Sequence, residues 1–227
     1  PTRRSSDLYE CSKKLTKGTC EEKSCMFPKL CKALKPTHNK QLELLRKVRA
    51  LPHIKKAFVA SGIRYDLISD DKAYGYEYLK EIVTHHLSGQ MKIAPEHTEP
   101  KVLKLMGKPD KETLLGFKQK FENMSKISGK QQFLTYYMIA AHPGCSEADM
   151  TAMKHFASSR LRLNPEQVQI FTPTPSTYST LMYYTEMDPW TRKKIFVEKD
   201  PVKKQRQKDI IVGKEGVTRG YTGDRNL

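Results

Sequence analysis

Ionisable and hydroxyl side chains stand directly after several short apolar segments in the middle of this chain. An arginine can hold a carboxylate through two parallel hydrogen bonds, and a histidine can transfer a proton near neutral pH. A glutamate accepts hydrogen bonds, and Lys92 could balance the charge of Glu96. Such a set can bind a charged ligand and move protons on it. The candidate ligand-binding residues are Ser61, Arg64, Tyr65, Lys92, Glu96, His97 and His142.

Each of these residues also has a purely structural interpretation. Arg64 lies two positions before Asp66 and could form a surface ion pair with it. Glu96 and His97 could belong to a cluster that caps the following helix. His142 precedes a Pro-Gly dipeptide, which forms turns without any catalytic neighbour. Both interpretations stay open at the level of the sequence.

Four of the five cysteines lie in a lysine-rich segment, at Cys11, Cys20, Cys25 and Cys31. Four thiolates suit zinc or an iron–sulfur cluster. The intervals of eight, four and five residues match no common zinc motif, in which two residues usually separate paired ligands. Three interpretations stay open: an auxiliary iron–sulfur cluster, zinc, or free thiols. Cys145 is expected to be a lone thiol.

Short apolar segments alternate with helical patterns, which predicts an α/β fold with parallel strands and outer helices. The predicted strands are 56–60, 91–94, 133–141 and 167–171. The predicted helices are 40–51, 74–87, 99–106, 111–127 and 146–163. Right-handed crossovers build either an open doubly wound sheet or a barrel, and in both the ligand lies at the carboxyl ends of the strands. The candidate ligand-binding residues occupy those ends.

The chain of 227 residues has a net charge of +16, and the positive excess lies at its two ends. Residues 1–56 carry 15 Lys and Arg against 5 Asp and Glu, residues 57–190 carry 15 of each, and residues 191–227 carry 11 against 5. Basic ends could attract nucleic acid through its phosphates, or could be solvated tails. No apolar run approaches the roughly 18 residues that cross a bilayer, so we expect a cytoplasmic protein without a membrane partner.

Several ordered strings of residues resemble the YgiQ-type radical SAM proteins over about residues 11–204. The strings include Ala-Ser-Gly-Ile-Arg-Tyr-Asp at 60–66, Lys-Ile-Ala-Pro-Glu-His-Thr-Glu at 92–99, Met-Gly-Lys-Pro at 106–109, Ala-His-Pro-Gly at 141–144 and Met-Tyr-Tyr-Thr at 182–185. The resemblance implies a partial (β/α) barrel of radical SAM type, truncated at its N-terminal strands. It also implies that the candidate ligand-binding residues bind a cofactor.

For such a family the expected cofactors are a [4Fe–4S] cluster on three cysteines spaced C-x₃-C-x₂-C and S-adenosyl-L-methionine. Reductive cleavage of the latter releases a 5′-deoxyadenosyl radical, with flavodoxin or ferredoxin expected as the electron donor and no substrate assigned. The chain lacks that cysteine triad. The resemblance therefore implies a fragment of an enzyme that is not competent alone. The alternative is a non-catalytic metal- and RNA-binding module.

The chain divides into four predicted parts. Residues 1–8 resemble the translation of a sequencing adapter and are interpreted as a cloning scar. Residues 9–38 form a cysteine-rich loop segment, residues 39–190 the partial barrel, and residues 191–227 a basic C-terminal tail.

Overall fold

The computed structural model of the protein describes residues 10–18, 20, 25–27, 30–60, 62–165 and 168–213. Ser61 and the predicted scar lie outside the described residues. The strands within the described part are β1 Glu10–Cys11, β2 Leu34–Lys35, β3 Gln90–Glu96, β4 Phe133–Ala140 and β5 Val168–Ile170. The helices are α1 Ser12–Lys17, α2 Asn39–Arg49, α3 Tyr65–Asp70, α4 Gly75–His85, α5 Pro100–Met106, α6 Lys111–Ile127, α7 Glu147–Phe156, α8 Tyr178–Thr185 and α9 Pro201–Val212.

The central sheet contains β3, β4 and β5 in sequence order, and all three strands are parallel. Met91 lies opposite Leu134, and Met138 lies opposite Val168. Helical segments connect consecutive strands, which confirms the predicted α/β class with a parallel sheet. The described strands form an open sheet of three, so the partial barrel stays a prediction.

The strand predicted at residues 56–60 is absent from the described structure. In its place a single parallel bridge joins Ile63 to Ile93, and the Val59 amide donates to the carbonyl oxygen of His86 at 2.9 Å. The predicted strand has no described neighbour with which to form a ladder, and Phe58 remains 48% exposed. An apolar run is not sufficient for a strand, because the strand also needs a hydrogen-bonding partner.

The core lies between the sheet and helices α4, α6 and α7. Ile82, Phe117, Met138 and Met150 are fully buried there and belong to one contiguous hydrophobic cluster. Helix α7 begins with the expected capping box, in which Ser146 and Asp149 bind each other's backbone amides. None of the described helices is long and apolar enough to span a bilayer.

Helix α9 lies inside the segment predicted to be a basic tail. Asp200 caps it by accepting hydrogen bonds from two backbone amides, and Pro201 occupies its first position. The helix packs against α7 and β5, and it buries Gln207, Ile210 and Ile211. Residues 201–212 are therefore a packed helix rather than a solvated tail.

The cysteine-rich segment is also more regular than predicted. In its described part, β1 pairs antiparallel with β2 and α1 follows β1 directly. Cys11 lies opposite Leu34 in this two-strand pair. The segment is thus not only loop.

Candidate functional site

The candidate residues from three chain segments lie at one edge of the central sheet. β3 ends at Glu96, and β4 ends two residues before His142. The bridge from Ile63 to Ile93 places Arg64 beside the same end of β3. We call this region the carboxyl edge. The strand ends converge there as the alternation of strands and helices predicts.

Arg64 stands just before α3 and forms a two-pronged ion pair with Asp66. Its Nε donates to Oδ1 at 2.8 Å, and its Nη2 donates to Oδ2. The Arg64 side chain is 40% exposed. A carboxylate of the chain itself thus meets Arg64, which is the structural interpretation that the sequence left open. A ligand carboxylate would have to compete with Asp66.

The hydroxyl of Tyr65 is buried and has no hydrogen-bond partner within the described residues. Burial and the charge of Asp66 raise the pKa of Tyr65 far above its ordinary value. The charge of Glu96 raises the pKa of Tyr65 further, but less than burial and Asp66 do. Buried hydroxyls nearly always have partners. Tyr65 therefore offers an unused donor and acceptor at the carboxyl edge.

Glu96 ends β3 in a strained backbone conformation and carries the second charge of the carboxyl edge. Its φ of 67° lies in the left-handed region that residues other than glycine rarely adopt. Its Oε1 is 2.8 Å from Nζ of Lys108, which also donates to the carbonyl oxygen of Ala94 at 3.4 Å. Lys92 is exposed on β3. The counter-charge of Glu96 therefore comes from Lys108, and the expectation for Lys92 is wrong.

His97 belongs to a chain of hydrogen bonds that joins two loops. Its Nδ1 accepts the amide of Glu99 at 3.0 Å, so its Nε2 carries the ring proton. That Nε2 lies 3.4 Å from Sγ of Cys145, and the thiol in turn lies 3.7 Å from the carbonyl oxygen of Ser146. The loop after β3 is thereby tied to the loop after β4.

Both members of the His97–Cys145 pair are neutral. Burial lowers the pKa of His97 to about 4, and burial raises the pKa of Cys145 to about 12. A nucleophilic cysteine needs a thiolate, which burial disfavours here more than the charge of Lys101 favours it. His97 is also only 1% exposed. Its position fits a structural role and not the proton transfer suggested by its residue type.

His142 is held in one orientation by its neighbours. Its Nδ1 donates to the carbonyl oxygen of Pro143 at 2.8 Å, and its Nε2 accepts from Oγ of Ser179 at 2.8 Å. The ring of Phe171 contacts it edge-on with 5.1 Å between centroids. Burial lowers the pKa of His142 to about 4. His142 therefore joins the loops after β4 and β5 as a neutral ring.

The four cysteines of the first segment do not form a metal site in the described structure. All five cysteines of the chain are thiols. The amide of Cys31 donates to the carbonyl oxygen of Cys25 at 2.9 Å, which brings these two residues together. Among the described residues, no group of three or more His, Cys, Asp or Glu could hold a metal ion. Both metal interpretations stay predictions.

Two residues of the carboxyl edge were missed by reasoning from the sequence. Lys108 lies in the Met-Gly-Lys-Pro string at 106–109, which indicated a family resemblance but no role for the lysine itself. Gln207 is fully buried on α9, where its Oε1 accepts the amide of Ala141 at 3.0 Å and its Nε2 donates to the carbonyl oxygen of Cys145 at 3.3 Å. It thus braces the turn that carries His142. No signal in the sequence distinguishes Gln207 from an exposed glutamine.

Comparison with known proteins places this chain beside proteins named UPF0313. It is 62% identical to a UPF0313 protein of Fusobacterium nucleatum over 205 residues, which cover 90% of this chain and 36% of that protein. It is 44% identical to UPF0313 proteins of Clostridium perfringens over 201 residues and of Methanosarcina acetivorans over 194 residues, or 30% and 26% of those proteins. No protein-family model matches the chain.

The chain spans about a third of the length of the curated relatives that it matches. UPF0313 is the YgiQ-type family, so the resemblance to that family is confirmed at the level of sequence similarity. The names of these relatives state no activity, cofactor or substrate.

Proposed function

We propose that this chain is part of a radical SAM enzyme whose S-adenosylmethionine binds at the carboxyl edge. The observation that carries the proposal is the buried hydroxyl of Tyr65, which has no partner among the described residues and follows the segment that pairs in parallel with β3. An unsatisfied buried hydroxyl costs roughly 1–3 kcal/mol, which a ligand would recover by hydrogen bonding.

The charges of the carboxyl edge suit the amino-acid portion of S-adenosylmethionine. That portion carries one ammonium and one carboxylate, and the edge offers the carboxylate of Glu96 and the ammonium of Lys108. The two protein groups neutralise each other without ligand and would separate to bind it. Tyr65 would donate its hydroxyl proton to a ligand oxygen. When bound and cleaved with one electron from an external reductant, S-adenosylmethionine would supply a 5′-deoxyadenosyl radical for hydrogen abstraction, and Tyr65, Glu96 and Lys108 would hold it.

The sequence of this chain does not supply the three-cysteine site for the [4Fe–4S] cluster that would cleave S-adenosylmethionine. The sequence has no C-x₃-C-x₂-C triad, and the described cysteines form no metal-binding group. In the proposed enzyme the cluster belongs to a part of the protein outside this chain. The role of the chain is therefore to bind and orient the organic cofactor and the substrate.

The first test uses the protein extended by its upstream coding sequence, reconstituted anaerobically with iron and sulfide. We expect C-x₃-C-x₂-C before residue 9 and, with a reductant, release of 5′-deoxyadenosine from S-adenosylmethionine. A reconstituted protein that carries the cluster and releases no 5′-deoxyadenosine would refute the proposed activity. A colourless zinc protein that binds RNA would favour the alternative module.

Substitutions in the same extended protein test the carboxyl edge itself. Glu96→Gln should weaken binding of S-adenosylmethionine by about tenfold, roughly 1.4 kcal/mol, and Tyr65→Phe by a few-fold. Lys120→Ala, an exposed change on α6, is the matched control and should leave the affinity unchanged. If Glu96→Gln and Lys120→Ala bound S-adenosylmethionine with equal affinity, the carboxyl edge would not be part of the binding site.

A further inference from the structure

A cavity of about 340 Å³ lies at the opposite end of the central sheet from the carboxyl edge. Its walls include residues 84–88, which precede β3, and Lys130, which precedes β4. Residues 54–58 and Arg49 complete the lining. The cavity therefore faces the amino ends of the parallel strands. It shares no lining residue with the candidate site described above.

The lining of this cavity is strongly basic. Arg49, Lys55, Lys56 and Lys130 contribute to it, and no Asp or Glu does so among the described residues. The sequence itself has no acidic residue between Glu43 and Asp66. A concave surface with charges of one sign concentrates ions of the opposite sign. The cavity thus attracts anions.

Glu81, which contacts the lining residue Arg49, is already shared among several groups. Glu81 accepts from Nε of Arg49 at 3.0 Å and from Nε of Arg46 at 3.2 Å, and Nε2 of His86 lies 3.3 Å from the same carboxylate. Burial opposes its ionisation, but the hydrogen bond from Arg46 and the charge of Arg49 lower the pKa of Glu81 overall. Arg46 also meets Glu77, with 3.4 Å between Nη2 and Oε2, so Glu77 and Glu81 together balance the two guanidinium groups. Among the described residues of the lining, no carboxylate balances Lys55, Lys56 and Lys130. A net positive charge therefore remains for a ligand.

The wall of the cavity is held in place before any ligand binds. Nδ1 of His86 lies 2.7 Å from the carbonyl oxygen of Ala57, and the amide of Val59 donates to the carbonyl oxygen of His86 at 2.9 Å. Nζ of Lys130 donates to the carbonyl oxygens of Thr84 and Val83 near the end of α4. A preformed wall lowers the entropy that binding must overcome.

The potential in the cavity also acts on a neighbouring ring. Burial, and then the charge of Arg49, lower the pKa of His85 below its ordinary value, with Lys130 acting in the same direction. The lining also includes apolar side chains, of which Phe58 is 48% exposed and Ile54 is 40% exposed. Pockets for small molecules combine such apolar surface with a few polar groups, over volumes of about 300–1,000 Å³.

We propose that this cavity binds a small phosphorylated ligand of the size of a mononucleotide. Its phosphate binds Lys55, Lys56 and the exposed part of Arg49, and its organic portion packs against Phe58. The volume suits a small molecule, and the end of α4 with the segment leading to β3 forms one side of the cavity. This site is independent of the proposed radical chemistry, because the two lie at opposite ends of the strands.

Isothermal titration calorimetry of the full chain tests the proposal with adenosine monophosphate, inorganic phosphate and adenosine as probes. We expect saturable binding of the monophosphate, weaker binding of phosphate and none of adenosine. The double variant K55A/K56A should bind the monophosphate at least tenfold more weakly. The control K40A/K47A removes two exposed lysines of α2 that do not line the cavity and should have no effect.

Two outcomes would overturn the proposal. Equal weakening in the two double variants would show a general effect of net charge. Binding of a short RNA without binding of the monophosphate would assign the basic surface to nucleic acid instead. Phe58→Ala adds a second readout, since it should weaken the binding of adenosine monophosphate and leave the binding of inorganic phosphate unchanged.

Discussion

Replacing Gln207 with methionine should destabilise the fold through two backbone groups that lie far from α9 in sequence. The side chain is fully buried and satisfies the amide of Ala141 and the carbonyl oxygen of Cys145. Methionine has a similar shape and no hydrogen-bonding amide, so both groups lose their partner. Each unsatisfied buried group costs about 1–3 kcal/mol, and we expect a total loss of roughly 2–5 kcal/mol.

The matched control is Gln205→Met on the same helix. Gln205 is exposed and, within the described part of the chain, donates to Asp209 one turn away. Its replacement should change the free energy of unfolding by less than about 0.5 kcal/mol. Urea unfolding measures both values, and hydrogen exchange of the Ala141 amide gives a local readout. If Gln207→Met matched the control and the amide exchanged no faster, the bracing role of Gln207 would be refuted.

Two further predictions concern acid and glycine. Lowering the pH from 6.5 to 4 should destabilise the protein by up to roughly 3 kcal/mol per ring, because His97 and His142 are neutral when folded, with pKa values of about 4, and take up protons on unfolding. The urea midpoint should therefore fall across that range, and a flat profile would contradict the buried neutral rings. Gly75→Ala should destabilise the protein by more than about 1 kcal/mol, because the new Cβ would lie 2.1 Å from the carbonyl oxygen of Ile68. Gly116→Ala in α6 should instead stabilise the protein by about 1 kcal/mol, because the new Cβ would have no neighbour within 4 Å. If the melting temperatures of the two glycine variants shifted in the same direction, the predicted contrast between the two positions would be wrong.

Local signals in the sequence predicted those elements that have strong start and stop residues. Helix α6 has the predicted bounds because Asp110 caps its first turn and Gly129, with φ of 63°, follows its end. Strand β4 was predicted to within one residue, since a long apolar run ends at a turn. In both cases the information lies within a few residues of the element.

The features that were missed depend on contacts between distant residues. Which lysine meets Glu96 follows from the left-handed backbone at Glu96 and the position of Lys108 after α5, and residue spacing shows neither. Helix α9 reads as a basic tail because its apolar residues are few, and its burial depends on docking against α7. The cavity likewise brings together residues 54–58 and Lys130, which are more than 70 positions apart.

The bracing of the turn after β4 has a consequence for the order in which this protein matures. Gln207 reaches back across 66 residues to Ala141 and across 62 to Cys145. During translation those two backbone groups must remain hydrated until the later helix has emerged and docked. Closing so long a loop is slow compared with forming a single helix. The turn after β4, which carries His142, should therefore be among the last regions of a nascent chain to reach its native geometry.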